Sequence, residues 1–261
     1  MQKEVLIIIP AYNEEKNISK VLDRLEQPEI AEFADILVMN DASSDNTNWI
    51  VKARHHAVVT HVFNLGYGSA LQLGYKYAIR CNYRYVIQMD ADGQHDAGNL
   101  INLYRALKTP DENGVYPDIV LGSRYLNDSP YFETSALKRF AFFLFRHIIK
   151  WSTGRTIMDP TTGLQGLSRR AALCYSKFGN FDEKYPDANM ITNMLLSDFN
   201  IVEIPAVMHL REYGKSMHSG LKPIGYMFHM FFSILAVLIR QKIFKNVPKA
   251  ERYNNDIQKT Q

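Results

Sequence analysis

The alternation of short apolar runs with helical periodicities is the feature that most constrains this chain. Val5-Leu6-Ile7-Ile8-Ile9 is a strand-length run closed by Pro10, and Ile18, Val21, Leu22 and Leu25 then recur at helical spacing. Ala34 to Met39 is the next apolar run, followed by a polar cluster and a helix predicted from about Asn46. The order repeats: Ala57–Phe63 as strand, Ser69–Arg80 as helix, Tyr83–Met89 as strand, Asn99–Leu107 as helix and Asp118–Leu121 as a fifth short strand. Such an order predicts an α/β fold, a mostly parallel sheet with helices on both faces. Ligands of such sheets bind at the carboxyl ends of the strands, so the residues just after each strand are expected to carry the chemistry.

The second half is less regular. Ser135–Trp151 is basic and aromatic, Asp159–Gly166 reads as a Thr/Gly-rich loop, Asp187–Leu196 as helix and Asn200–Val207 as strand. An apolar stretch from Ile224 to Ile239 follows, and the polar end from about Lys249 is expected to fray. Composition excludes several classes. Lys plus Arg is 30 against 27 Asp plus Glu, too balanced for a chain that coats nucleic acid. Cys81 and Cys174 form no CxxC pair, which argues against a disulfide scaffold or a zinc site and for reduced thiols in a cytoplasmic setting. The first apolar run is too short for an export signal. The C-terminal run of 16 residues would reach about 24 Å as a helix, short of the roughly 30 Å hydrocarbon core of a bilayer.

After the first strand stands Pro10-Ala11-Tyr12-Asn13-Glu14-Glu15, which is not the glycine turn of a dinucleotide site, and no P-loop occurs. The second strand ends in Asn40-Asp41-Ala42-Ser43-Ser44-Asp45. Its carboxylates can meet a ribose or base, or Asp41 or Asp45 can cap the next helix. The fourth strand ends in Asp90-Ala91-Asp92-Gly93-Gln94-His95, which places oxygen ligands of the kind Mg²⁺ and Mn²⁺ prefer along one edge. The alternative is a surface turn. His95 is either a further ligand or a surface residue.

These signals share one familiar order. Ile8-Ile9-Pro10-Ala11-Tyr12-Asn13-Glu14, Asn40-Asp41-Ala42-Ser43-Ser44-Asp45, Asn64-Leu65-Gly66-Tyr67-Gly68, Gln88-Met89-Asp90-Ala91-Asp92-Gly93-Gln94 and Gly122-Ser123-Arg124 resemble the motifs of family 2 glycosyltransferases of GT-A fold. Within that family the chain is similar to the dolichyl- and polyprenyl-phosphate sugar synthases. The resemblance covers roughly residues 4–215. It implies that Pro10, Tyr12, Glu14, Asp41, Gly68, Asp90 and Ala91 hold a nucleotide sugar, and that Asp90, Asp92 and Gln94 hold Mg²⁺ or Mn²⁺. Arg124, at the end of the fifth strand, is expected to offset charge on the leaving diphosphate. Asp159-Pro160-Thr161-Thr162-Gly163-Leu164-Gln165-Gly166 and Tyr185-Pro186-Asp187 resemble the family's acceptor side, where Asp187 is either a general base or a helix cap. Leu210-Arg211-Glu212-Tyr213-Gly214-Lys215-Ser216 resembles the phosphate-contacting loop of the polyprenyl-phosphate synthases, with Lys ahead of Ser here. That implies acceptor-phosphate roles for Arg211, Lys215 and Ser216. The QxxRW motif of processive polysaccharide synthases is absent.

The expected function is therefore metal-dependent transfer of one sugar from a nucleotide sugar to a membrane-bound polyprenyl phosphate, on the way to a surface glycan. The alternatives are transfer to a hydroxyl of a lipid-linked glycan and, in another class, a non-catalytic membrane scaffold. The division expected is a catalytic domain over 1–215, a membrane-associating or packing helix over 216–247 and a polar tail over 248–261. The acid-free, aromatic and basic run Leu137–Trp151 and the cations Lys222, Arg240, Lys242 and Lys245 around the C-terminal helix suit a membrane surface. The expected place is the cytoplasmic face of a membrane, attached peripherally. A homo-oligomer or a small membrane-protein partner is compatible with the sequence, and nucleic acid is not an expected partner.

Overall fold

In the computed structural model, residues 2–129, 136–209, 222–243 and 249–258 are described. The elements run β1 (Val5–Ala11), α1 (Ile18–Leu25), α2 (Pro28–Ala31), β2 (Ala34–Asn40), α3 (Thr47–Ala53), β3 (Ala57–Thr60), α4 (Tyr67–Arg80), β4 (Tyr85–Gln88) and α5 (Ala97–Leu107). The second half continues with β5 (Ile119–Ser123), α6 (Ala136–Thr153), β6 (Gln165–Ser168), α7 (Arg169–Ser176), α8 (Ala188–Leu196), β7 (Ile201–Pro205), α9 (Lys222–Ile243) and α10 (Ala250–Gln258).

The strands form one seven-stranded sheet in the order β3-β2-β1-β4-β6-β5-β7. Pairing is parallel except on the two sides of β6, which runs antiparallel to β4 and to β5. Alternate residues explain why β1 is apolar throughout. Leu6 and Ile8 pack into one core with α4, α6, α7, α8, α9 and α10, while Val5, Ile7 and Ile9 pack into the other with α1 and α5. Because β1, β2, β4, β5 and β7 all point the same way, their carboxyl ends share one edge. That edge gathers Tyr12, Asp41, Asp90, Arg124 and the chain entering Val207–His209.

The structure departs from the sequence expectation in three places. The loop expected to run to Gly166 ends earlier, and Gln165–Ser168 is the central strand β6. Its place is set by ladders on both edges rather than by an apolar pattern, and Gly166 leaves room for Leu107, whose Cδ1 would lie 3.0 Å from an added Cβ. Helix α7, which is not among the elements expected from the sequence, begins at Arg169-Arg170. Arg170 binds the buried Asp118 at 2.5 and 2.7 Å, and Arg169 donates to the carbonyls of Tyr83 and Ile79. The tail expected to fray contains α10, anchored by the buried Ala250 and Tyr253.

Helix α9 has two faces. Met230 and Ile234 are buried in the core, whereas Phe228, Phe231, Phe232, Leu235, Ile239 and Ile243 are exposed. Helix α6 likewise buries Phe145 and Ile149 and exposes Phe140, Phe143 and Trp151. Among the described residues no helix is long and apolar enough to cross a membrane.

Candidate active site

The turns after β1 and β2 are tied to each other. Asn13 and Ala42 adopt φ values of +55° and +58°, and the Asn13 side chain accepts from the Ser44 amide at 2.8 Å. Asp45 accepts from the amides of Glu15 and Thr47, both at 3.0 Å, so it caps the start of α3 and bridges the two turns. Pro10 is buried, Tyr12 is half-exposed at the rim, and Glu14 accepts from the Asn17 amide group at 2.6 Å.

Asp41 does not cap the following helix. Its buried carboxylate accepts from the amides of Leu65 and Gly66 at 2.9 and 2.8 Å and pairs with His61 at 2.7 Å. It thereby fixes the loop that leads into α4. Gly66 there has φ +96°, a conformation open to glycine. Gly68, expected at the nucleotide sugar, is buried against the segment that precedes α8. A Cβ on it would overlap the Asp182 carbonyl oxygen and lie 2.6 Å from that of Glu183. The Ser69 amide reinforces this junction by donating to Glu183 O at 3.1 Å. Helix α4 and the segment that precedes α8 are therefore in direct contact.

Asp90 leaves the end of β4 with its Oδ1 accepting from the Tyr67 hydroxyl at 2.9 Å. Its other oxygen would lie 2.8 Å from a Cβ on Gly163, so glycine at that position lets the Thr161–Gly163 loop approach the carboxylate. Ala91 and Asp92 are buried, and Asp92 accepts from the Gln94 amide at 3.0 Å. The Gln94 side chain donates to His209 O at 3.1 Å, and the His209 amide returns a bond to Gln94 O at 2.7 Å. His95 is not a surface residue. It is 3% exposed, neither ring nitrogen has a hydrogen-bond partner, and Nε2 lies 3.7 Å from Asp90 Oδ2. Arg24 of α1 holds the loop from below by donating to Gly93 O at 2.8 Å.

Among the described residues no three His, Cys, Asp or Glu side chains form a ready cage for a metal. The oxygen donors of Asp90, Asp92 and Gln94 nevertheless suit a hard cation of the Mg²⁺ type. Such an ion takes one or two carboxylates from the protein and draws further ligands from substrate phosphates and water.

Arg124 points from the end of β5 into a two-pronged contact with Asp159, Nε to Oδ2 and Nη2 to Oδ1, both at 2.7 Å. Asp159 is fully buried, and its charge holds the guanidinium protonated well above the usual arginine range despite burial. Glu203 of β7 accepts from the Met158 and Asp159 amides at 2.7 and 2.8 Å and so sets this carboxylate in place.

Asp187 occupies the N-cap position of α8 but makes no capping bond with its side chain. The carboxylate turns instead to α9, where Tyr226 donates to Oδ2 at 2.7 Å. Burial pushes it up to about 7; the Tyr226 bond and the charge of Arg124 oppose that shift, while Asp90 and Asp182 add to it. Arg211, Lys215 and Ser216 lie outside the described residues. The residues that the sequence did not single out are Tyr67, Asp159, Glu203 and Tyr226. Each acts on a partner far along the chain, and only Tyr67 and Asp159 stand inside a motif.

A sheet whose strand ends present paired carboxylates, an arginine and a buried acid at one edge defines a GT-A type transferase. The chain belongs to glycosyl transferase family 2, whose family model matches residues 6–175, and it is a glycosyltransferase. It is 24% identical over 250 residues to the UDP-N-acetylglucosamine–dolichyl-phosphate N-acetylglucosaminyltransferase of Methanococcus voltae, covering 89% of this chain and 95% of that one. It is 27% identical over 232 residues to the undecaprenyl-phosphate mannosyltransferase of Micrococcus luteus, covering 83% and 88%. Among solved structures it is similar to glucosyl-3-phosphoglycerate synthase of Mycobacterium tuberculosis in complex with Mn²⁺, uridine diphosphate and glucosyl-3-phosphoglycerate. The TM-score there is 0.62 at 18% identity, over 91% of this chain and 79% of that one.

Proposed function

We propose that this glycosyltransferase moves a single sugar from a nucleotide sugar to a polyprenyl phosphate at the inner face of a membrane. The observation that carries the proposal is the shared edge. Asp90 of the Asp90–Asp92 pair stands beside Tyr67 and Gly163, and Asp187 at the start of α8 is close enough to Asp90 and Arg124 for their charges to act on it. The named activities of the relatives from Methanococcus voltae and Micrococcus luteus, which align over most of the chain, support the lipid-phosphate acceptor.

Pro10, Tyr12, Glu14, Ala91 and the loop fixed by Asp41 would line the nucleotide side, with Gly68 keeping that side pressed against the acceptor loop. Asp90, Asp92 and Gln94 would hold Mg²⁺ or Mn²⁺, which when bound supplies positive charge to the departing diphosphate. Arg124 adds cationic field from its anchored position, and Arg211, Lys215 and Ser216 would contact the acceptor phosphate. Residues 1–215 would be the catalytic domain, with α9 both packing on it and facing lipid. The exposed aromatics of α6 and α9 support that face, together with the exposed Arg139 and Lys150. The test is turnover with a panel of UDP- and GDP-sugars on polyprenyl phosphate vesicles, with excess EDTA, with Mn²⁺ restored, and in Asp92→Ala. Loss in EDTA and in the folded variant, with recovery on Mn²⁺, supports the metal site; full activity in chelator rejects it.

A second acceptor is favoured by one observation. A carboxylate brought to about 7 suits a general base, which a hydroxyl acceptor needs and a phosphate does not. With a phosphate acceptor Asp187→Asn retains a substantial share of kcat, because Asp187 only orients. A fall of roughly 10²–10⁴ in the folded variant identifies a hydroxyl of a lipid-linked glycan instead.

A further inference from the structure

We infer that Tyr226 of α9 is a positioning residue for Asp187, so that the C-terminal helix completes the active site from outside the segment matched to the family. The inference rests on the reading of Asp187 as the acceptor-side carboxylate.

Three observations carry it. First, the carboxylate of Asp187 leaves the helix N-terminus it could have capped and takes the Tyr226 hydroxyl at 2.7 Å. Second, the Tyr226 ring cannot swing freely. It is held edge-on against Tyr185 and Phe145, with centroids 5.3 and 6.5 Å away. Third, the register of α9 on this loop is fixed one and two turns on. Asn189 donates to Ser233 Oγ at 2.7 Å, Ser233 donates to Asp182 at 3.3 Å, and His229 stands 3.7 Å from the same Asp182 carboxylate. The same 182–183 segment packs on Gly68, and Tyr67 next to it donates to Asp90. A continuous line of contacts therefore joins α9 to both carboxylates of the site. A hydroxyl held by packed rings sets the carboxylate direction at small entropic cost, and misplacing a reacting group by about 1 Å costs up to roughly 10²-fold in rate.

Among the described residues, the charged and titratable groups that act on Asp187 are Tyr226, Asp90, Arg124 and Asp182. Of these, Tyr226 alone is removed by Tyr226→Phe, which keeps the ring and its packing. The experiment is a double-mutant cycle of Tyr226→Phe and Asp187→Asn, with turnover of polyprenyl phosphate measured for whichever UDP- or GDP-sugar supports it. Binding of UDP and GDP by calorimetry and the melting temperature are measured on each variant. The expected result is a kcat loss of about threefold to tenfold in Tyr226→Phe, unchanged nucleotide affinity, and no further loss when Tyr226→Phe is combined with Asp187→Asn. A carboxyl titration by carbon-13 NMR should also move the Asp187 midpoint upward in Tyr226→Phe, since its charged form loses a hydrogen bond. Full turnover in Tyr226→Phe, or an equal loss in both backgrounds, overturns the inference alone. Full turnover in Asp187→Asn overturns the reading of Asp187 itself and the inference with it.

Discussion

Replacing Asp187 by Asn should change how stability depends on pH, by an amount the structure allows one to work out. The carboxyl has an ordinary value of 3.8 and stands at about 7 in the folded protein, chiefly through burial. That is a shift of roughly three units, worth about 4 kcal/mol at 1.36 kcal/mol per unit. Its sign is fixed by proton counting. Between the two values the folded state keeps a proton that the unfolded state has lost, so wild-type stability falls as pH rises and levels off above about 7. Asparagine removes that proton uptake. The stability of Asp187→Asn relative to wild type should therefore increase from pH 4 to pH 8 by about 4 kcal/mol. All other titrating groups are common to both proteins, and a fixed difference from the altered Tyr226 contact would shift one curve without tilting it. Urea denaturation of both proteins at half-unit steps of pH measures the difference directly. Parallel curves would refute the claim that burial holds this carboxyl protonated.

Gly68→Ala should destabilise by about 1–3 kcal/mol and lower turnover, because the added Cβ meets the Asp182 and Glu183 backbone, which cannot move as a flexible side chain would; melting and activity are the readouts. Asp159→Asn should cost about 3–5 kcal/mol in denaturant titration, since it leaves the Arg124 guanidinium largely buried without its counter-charge. Charge reversal of the exposed Arg139 and Lys150 should weaken flotation on anionic vesicles at least about tenfold at low salt, at about 1 kcal/mol for each lost cation. Arg146 is a poorer choice for that test, because it stacks at 5.3 Å on the Tyr125 ring and its loss would also disturb packing.

Which parts of the molecule could be read from the chain follows from where the information lies. β1, β2 and β4 are legible because both of their faces are buried, so nearly every residue must be apolar. Asp90 and Asp92 are legible because they follow such a strand directly. β6 is not, because its identity comes from hydrogen bonding on both edges and its sequence is Gln-Gly-Leu-Ser. α10 looks polar because a few buried residues, Ala250 and Tyr253 among them, are enough to anchor it. In the site, Asp41 was recognisable as important, yet the bonds it accepts from the amides of residues 65 and 66, which hold the loop into α4, could not be read from local spacing. The contacts of Tyr226 and Asp159 were invisible for a simpler reason: the groups they hold stand 39 and 35 residues away, and no local spacing announces such a contact.

The most direct measurement of the central claim is the covalent structure of the product. Polyprenyl phosphate, its dephosphorylated alcohol and a lipid-linked glycan are each offered with the UDP- and GDP-sugar panel, and the lipid extract is resolved by mass spectrometry with fragmentation. The expected product carries one hexose-type sugar on the phosphate of polyprenyl phosphate, with one nucleoside diphosphate released per transfer and no product from the alcohol. Sugar found only on a glycan hydroxyl, with polyprenyl phosphate untouched, would contradict it.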